Sequence, residues 1–99
     1  MAHTIAKSSL VTAVKDQVFC SLGEEAVVLQ LKDGVYYGLN EVGTTIWNYL
    51  QEQRSVEQIE QHVLEHYDVT VERCEEEVQE FLHNLADAGL IEVRPEARG

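Results

Sequence analysis

The hydrophobic period of this chain changes once, at Asn40, and that change does most to limit what it can fold into. From Leu10 to Leu39 apolar residues recur at every second position. Beyond Asn40 they recur at about every 3.6 residues. Period two sends alternate side chains to the two faces of a strand, whereas period 3.6 lines one face of a helix. Strand signals followed by helix signals, within 99 residues, read as one α+β domain with a single core. The expected organisation is a flexible N-terminus over residues 1–9, a folded domain over 10–94 and a C-terminal tail over 95–99.

Four stretches carry the strand pattern: Leu10–Val14, Val18–Leu22, Val27–Leu31 and Val35–Leu39. Asp33-Gly34 lies between the last two and favours a tight hairpin, because glycine tolerates positive φ. The expectation is a three-stranded antiparallel sheet followed by three helices. Asn40 is placed to cap a helix bearing Val42, Ile46, Tyr49 and Leu50. Ser55 and Gln58 have the spacing of a capping box for a second helix, with Val56, Ile59 and Val63 inward. After the link Asp68-Val69-Thr70, a third helix carries Val71, Cys74, Val78, Phe81 and Leu85, and Gly89 is placed to end it. Leu90–Val93 reads as a short closing strand.

Two helices joined by a short link, with a hairpin nearby, make a winged helix-turn-helix-like arrangement. The charge argues against nucleic acid. Formal net charge is −11, and the helix in the recognition position carries Glu72, Glu75, Glu76, Glu77, Glu80 and Asp87 against Arg73 alone. Phosphate backbones are bound through Lys and Arg that displace counterions, so such a helix is repelled from a groove. Anionic membranes are excluded on the same ground. The longest apolar run, Ala26–Leu29, is far short of the roughly 20 residues that span a bilayer. Met1–Ser9 lacks a signal-peptide h-region. A cytoplasmic location follows as the expectation, with Cys20 and Cys74 as buried, reduced thiols.

Candidate chemistry is sparse. His62-Val63-Leu64-Glu65-His66 matches the H-x-x-E-H pattern of inverted zinc proteases. A catalytic zinc needs a third protein ligand and a walled cleft, and so small a domain offers little scope for either. The pair is expected as two histidines on a solvated helix face. No nucleophile constellation or phosphate-cradling glycine loop is present. The expectation is a chain with no catalytic residue, no metal and no cofactor. Glu75-Glu76-Glu77 reads as a solvated face or as an electrostatic guide for a basic peptide. Tyr36 and Tyr37 point to opposite faces of one strand, and that strand reads as a sheet edge. Its unpaired N–H and C=O groups can accept an incoming strand.

Leu31-Lys32-Asp33-Gly34-Val35-Tyr36-Tyr37-Gly38-Leu39-Asn40-Glu41-Val42-Gly43, followed by Ile46-Trp47, resembles the signature of the PqqD-like family. Val56-x-x-Ile59 and Phe81-Leu82-x-x-Leu85-x-x-x-Gly89-Leu90-Ile91 agree with it, and the likeness extends over Leu10 to Val93. The resemblance implies a recognition element for ribosomally made, modified peptides. Such an element binds the leader segment of a precursor as a strand beside the third strand, in the groove next to the third helix. Within the family the chain looks most like the stand-alone leader-binding protein of lasso-peptide pathways. Its partners there are the precursor leader, a separate leader protease and an ATP-dependent cyclase. The relative that serves pyrroloquinoline quinone biosynthesis, partnered by a radical enzyme, is the alternative. The expected peptide contacts are Val35, Tyr36, Tyr37 and Gly38 on the edge strand. On the third helix they are Glu75, Val78, Gln79, Leu82, Leu85 and Ala86, with Leu82 at the rim of the core stripe.

Overall fold

The computed structural model describes residues 5–22 and 25–95. Its elements follow one another as β1 (Leu10–Ala13), β2 (Gln17–Leu22), β3 (Glu25–Gln30), β4 (Val35–Leu39), α1 (Glu41–Tyr49), β5 (Arg54–Ser55), α2 (Val56–His66), α3 (Val71–Asp87) and β6 (Ile91–Arg94). The α+β class and the three helices are as the sequence implies. The strands, however, divide into two antiparallel sheets instead of one. β2-β3-β4 form a meander, while β1 lies between β5 and β6 in a second sheet. Leu10 faces Arg94 and Ala13 faces Ile91, so the first and last strands of the fold are partners.

Local chemistry sets the helix boundaries. Asn40 Oδ1 accepts from Gly43 N at 2.7 Å and caps α1. Ser55 and Gln58 close a full capping box at 3.1 and 2.9 Å, satisfying donors that the first turn of α2 leaves free. Thr70 caps α3 through Arg73 N. α3 ends in a Schellman motif: Leu90 N donates to Leu85 O and Gly89 N to Ala86 O, with Gly89 at φ +73°. Leu85 and Leu90, the apolar pair that accompanies this motif, are both buried. The β3–β4 hairpin is looser than a two-residue turn. Its loop is Leu31–Gly34, closed by Gly34 N to Gln30 O at 2.8 Å with Gly34 at φ +70°.

The core lies between the helices and the inner faces of both sheets, built around Trp47, Ile46, Leu50, Ile59, Leu82, Leu85, Val11 and Val28. Two expected core residues lie outside it. Val71 is 52 % exposed, because it occupies the first position of α3, where the helix has not yet reached its neighbours. Cys20 is exposed, because β2 is an edge strand and Cys20 faces away from the helices. Cys74 is buried and its thiol donates to Glu60 O at 3.5 Å; burial pushes its pKa up.

The N-terminal segment, expected to be loose, is fastened over Ile5–Ser9, while Met1–Thr4 lie outside the described residues. The Gln79 side-chain amide bonds both main-chain groups of Ile5, at 3.1 and 2.7 Å. Lys7 pairs with Glu75 and lies 3.5 Å from the buried Glu60. Lys7 O and Ser9 O accept from Glu57 N and Val56 N at the start of α2.

Candidate peptide-binding groove

β4 is bonded to β3 along one side only, and among the described residues its other edge is free. β2 is the opposite edge of the same sheet. β4 borders a groove of about 560 Å³, lined by its Tyr37 together with residues of α1 and α3. Its centre is an aromatic pair: Tyr37 and Phe81 meet edge to face, centroids 6.2 Å apart at 66°. Such contacts suit the quadrupoles of the two rings. Phe81 reaches this position because the first turn of α1 holds a buried glycine, Gly43. A Cβ on Gly43 would lie 3.2 Å from Phe81 Cε1, so any larger residue would press the ring toward the groove.

The helical wall of the groove is polar. Glu76, Glu77, Glu80 and Asn84 line it, with Arg73 at one end. Arg73 Nε donates to Glu77 Oε2 at 2.8 Å, which holds the guanidinium more firmly protonated and leaves Glu76 and Glu80 as net negative charge on the rim. Tyr67 lines the α2 end; its hydroxyl lies 2.7 Å from Thr45 Oγ1 and ties the α2–α3 link to α1. An apolar floor, a free main-chain edge and an acidic rim can hold an extended peptide with apolar and basic residues.

The sequence-based site residues fall into three places. Val35, Tyr36, Tyr37 and Gly38 lie on β4, whose outer edge is free among the described residues, and of the four Tyr37 lines the groove. Val78, Leu82 and Leu85 are buried in the core, so Leu82 supports the fold and does not lie open at a rim. Glu75 and Gln79 lie on the other flank of α3, engaged with Lys7 and Ile5, and the exposed Ala86 does not line the groove. A helix turns about 100° per residue. Phe81 and Leu82 therefore stand at opposite borders of one buried stripe, and Phe81 is the one that meets β4. The sequence reading missed Phe81, Glu77, Glu80 and Asn84 as groove residues. The signal available was Gly43, whose missing side chain marks a close approach by something large.

The H-x-x-E-H histidines are engaged in stacking. His62 lies on Tyr49, centroids 4.0 Å apart and nearly parallel, and Arg54 covers Tyr49 at 4.1 Å. His66 Nδ1 lies 2.8 Å from His62 O. Burial, then His66, lowers the pKa of His62. Among the described residues no group of three or more His, Cys, Asp or Glu is placed to hold a metal ion, and no helix is long and apolar enough to cross a membrane.

Comparisons with known proteins place the fold. The family model for coenzyme PQQ synthesis protein D (PqqD) matches residues 25–91, the stretch that contains β3, β4 and all three helices. TbiB1, solved in complex with the TbiA(beta) leader peptide, is 32% identical over 82% of this chain and 94% of its own, with a TM-score of 0.73. A lasso peptide synthetase B1, solved with its leader peptide, shares the fold at 18% identity and a TM-score of 0.70, over 83% of this chain and 96% of its own. No curated protein matches significantly. With the family model covering more than half of its length, this chain belongs to the PqqD family.

Proposed function

We propose that this chain is a leader-peptide-binding adaptor. It takes the leader segment of a ribosomally synthesised precursor as an added strand on β4 and presents the precursor to processing enzymes. The observation that carries this reading is the outer edge of β4, free among the described residues, with Tyr37 of that strand lining the groove beside Phe81. Strand addition supplies affinity through main-chain bonds, and the groove selects side chains. The likeness to TbiB1, itself solved with a leader peptide, supports the choice of ligand.

The proposed contacts rest on the lining of the groove. Val35, Tyr36, Tyr37 and Gly38 offer their main chain, and Phe81, Glu77, Glu80 and Asn84 face the peptide from α3. Val78, Leu82 and Leu85 hold that helix from beneath. The chain does no chemistry of its own in this reading. Its partners are a separate leader protease and the cyclase of a lasso-peptide pathway, in the cytoplasm. The family's description in terms of coenzyme PQQ synthesis favours a second reading, in which the same groove serves a radical enzyme of that pathway.

The test is calorimetry of the purified protein against two synthetic peptides, a lasso-precursor leader and a PQQ precursor, with each peptide's mass measured afterwards. Binding of the lasso leader with its mass unchanged is the expected result. Preference for the PQQ precursor would favour the second reading, and a cleaved peptide would overturn the adaptor role.

A further inference from the structure

The outer face of the β2-β3-β4 sheet, opposite the groove, carries a row of apolar side chains in register. Val18 faces Leu29, and Leu29 faces Tyr36, so the three stand side by side across the strands. The next row is Cys20, Val27 and Gly38. None of these six residues is charged, although a quarter of the chain is. Among the described residues Tyr36 is the most exposed of the large apolar ones, at 73%, and Val18 is 42% exposed. A Cβ built on Gly38 would meet nothing within 4 Å, so the surface beside Tyr36 is open. The row ends at Tyr36 because β4 is the last strand of the sheet.

A strand added to β4 must continue that row. Side chains of paired strands alternate in step, so the residue opposite Tyr36 projects onto the outer face and its neighbours project into the groove. We propose that the bound peptide is read on both faces of the sheet: Tyr36 forms a second subsite that selects an apolar or aromatic residue, out of phase with the residues that enter the groove. This rests on the strand-addition reading above and adds to it the class of peptide bound. The ligand is then an alternating segment. Its groove side carries an apolar residue for Tyr37 and Phe81 and a basic one for Glu80. Its outer side carries an uncharged, bulky residue that covers Tyr36 and the bare surface of Gly38, as aromatic residues cover glycines on edge strands. Tyr36 acts here as a specificity residue, since the main-chain bonds at its position do not depend on its side chain.

The experiment is selection from a display library of random 12-residue peptides on the intact protein and on its Tyr36→Ser and Tyr36→Phe variants. Thermal midpoints are measured alongside, and they should stay close together because the ring is largely in solvent. The wild type is expected to enrich peptides with a fixed apolar position flanked by groove-side positions. Tyr36→Ser should lose that preference alone and bind the wild-type consensus peptide about fivefold more weakly, the scale of one cross-strand pair. Tyr36→Phe should keep both. Unchanged enrichment and affinity in Tyr36→Ser would overturn the second subsite while leaving strand addition intact. Failure of the wild type to enrich any peptide would overturn strand addition itself, and this proposal with it.

Discussion

Phe81 and Leu82 are adjacent in sequence, yet Leu82 is buried in the core and Phe81 lines the groove, and truncating each in turn should separate stability from peptide affinity. Leu82 is fully buried among the core residues. Leu→Ala removes buried carbon atoms and leaves a space that its neighbours fill only in part, at a cost of about 2–5 kcal/mol. A domain of this size has a total stability of roughly 5–15 kcal/mol, so the loss is a large share of it. At about 4–8 °C per kcal/mol, a loss near 3 kcal/mol lowers the thermal midpoint by roughly 12–24 °C. The Phe81 ring is only partly buried and opens onto the groove. Phe81→Ala should cost less stability, about 1–2 kcal/mol. Its main effect is on peptide affinity, which loses the apolar floor. Melting followed by circular dichroism, paired with calorimetry against a leader peptide at a temperature where both variants are folded, reads the two quantities apart. Leu82→Ala should be the less stable variant and Phe81→Ala the weaker binder. A midpoint for Leu82→Ala within about 5 °C of wild type, or a weaker affinity for it than for Phe81→Ala, would refute the assignment of the two borders of the helix.

Burial raises the pKa of Glu60 against the opposing pull of Lys7, with Glu75 and Glu57 raising it further, and its Oε2 has no hydrogen-bond partner among the described residues. A carboxyl raised in the folded state binds more protons there than in the unfolded chain, so its contribution to stability declines as pH rises from the ordinary glutamate range to the folded value. Glu60→Gln should flatten the fall of stability across that window, as read by urea unfolding at several pH values; parallel curves would mean that Glu60 is not its source. At Gly89, φ is +73° and a Cβ would lie 2.8 Å from Gln30 Nε2, whereas Gly34 has similar φ and open space. Gly89→Ala should therefore cost about 2 kcal/mol and Gly34→Ala about 1, and chemical denaturation giving equal losses would contradict the crowding. Glu80→Lys should weaken a basic leader about two- to fivefold at low salt and much less at high salt, since exposed charges are screened; a salt-independent loss in calorimetry would point to altered packing instead.

The helix starts at Asn40 and Ser55, and the stop at Gly89, were readable because each depends on groups within a few residues of one another. The partition of the strands was not. β1 pairs with β6 from the far end of the chain, and nothing in the local alternation of Leu10–Ala13 records that partner. β5 is only two residues long and leaves no periodic trace. The same limit applies to the groove. The edge strand could be read from Val35–Leu39, since alternation and the Asp33-Gly34 turn place it last in its sheet. On α3 the 3.6 period located the buried stripe but could not tell which of its borders meets β4. Glu75, Gln79 and Ala86 lie toward one border of that stripe, and Glu77, Glu80 and Asn84 line the groove at the other. What occupies the other flank is the segment Ile5–Ser9, a polar stretch with no periodic signal of its own. Its hold on Gln79, Glu75 and Glu60 exists only in three dimensions.

Amide hydrogen exchange, measured residue by residue with and without a leader peptide, tests the central claim most directly. β4 should change most on binding. Those of its amides that point away from β3 exchange readily in the free protein and should become strongly protected, because a strand added at that edge gives each of them a main-chain acceptor. Protection should extend to the Phe81 side of α3 and should be absent from β2, the other free edge. Protection confined to β2, or a leader that binds without slowing any β4 amide, would contradict strand addition at β4.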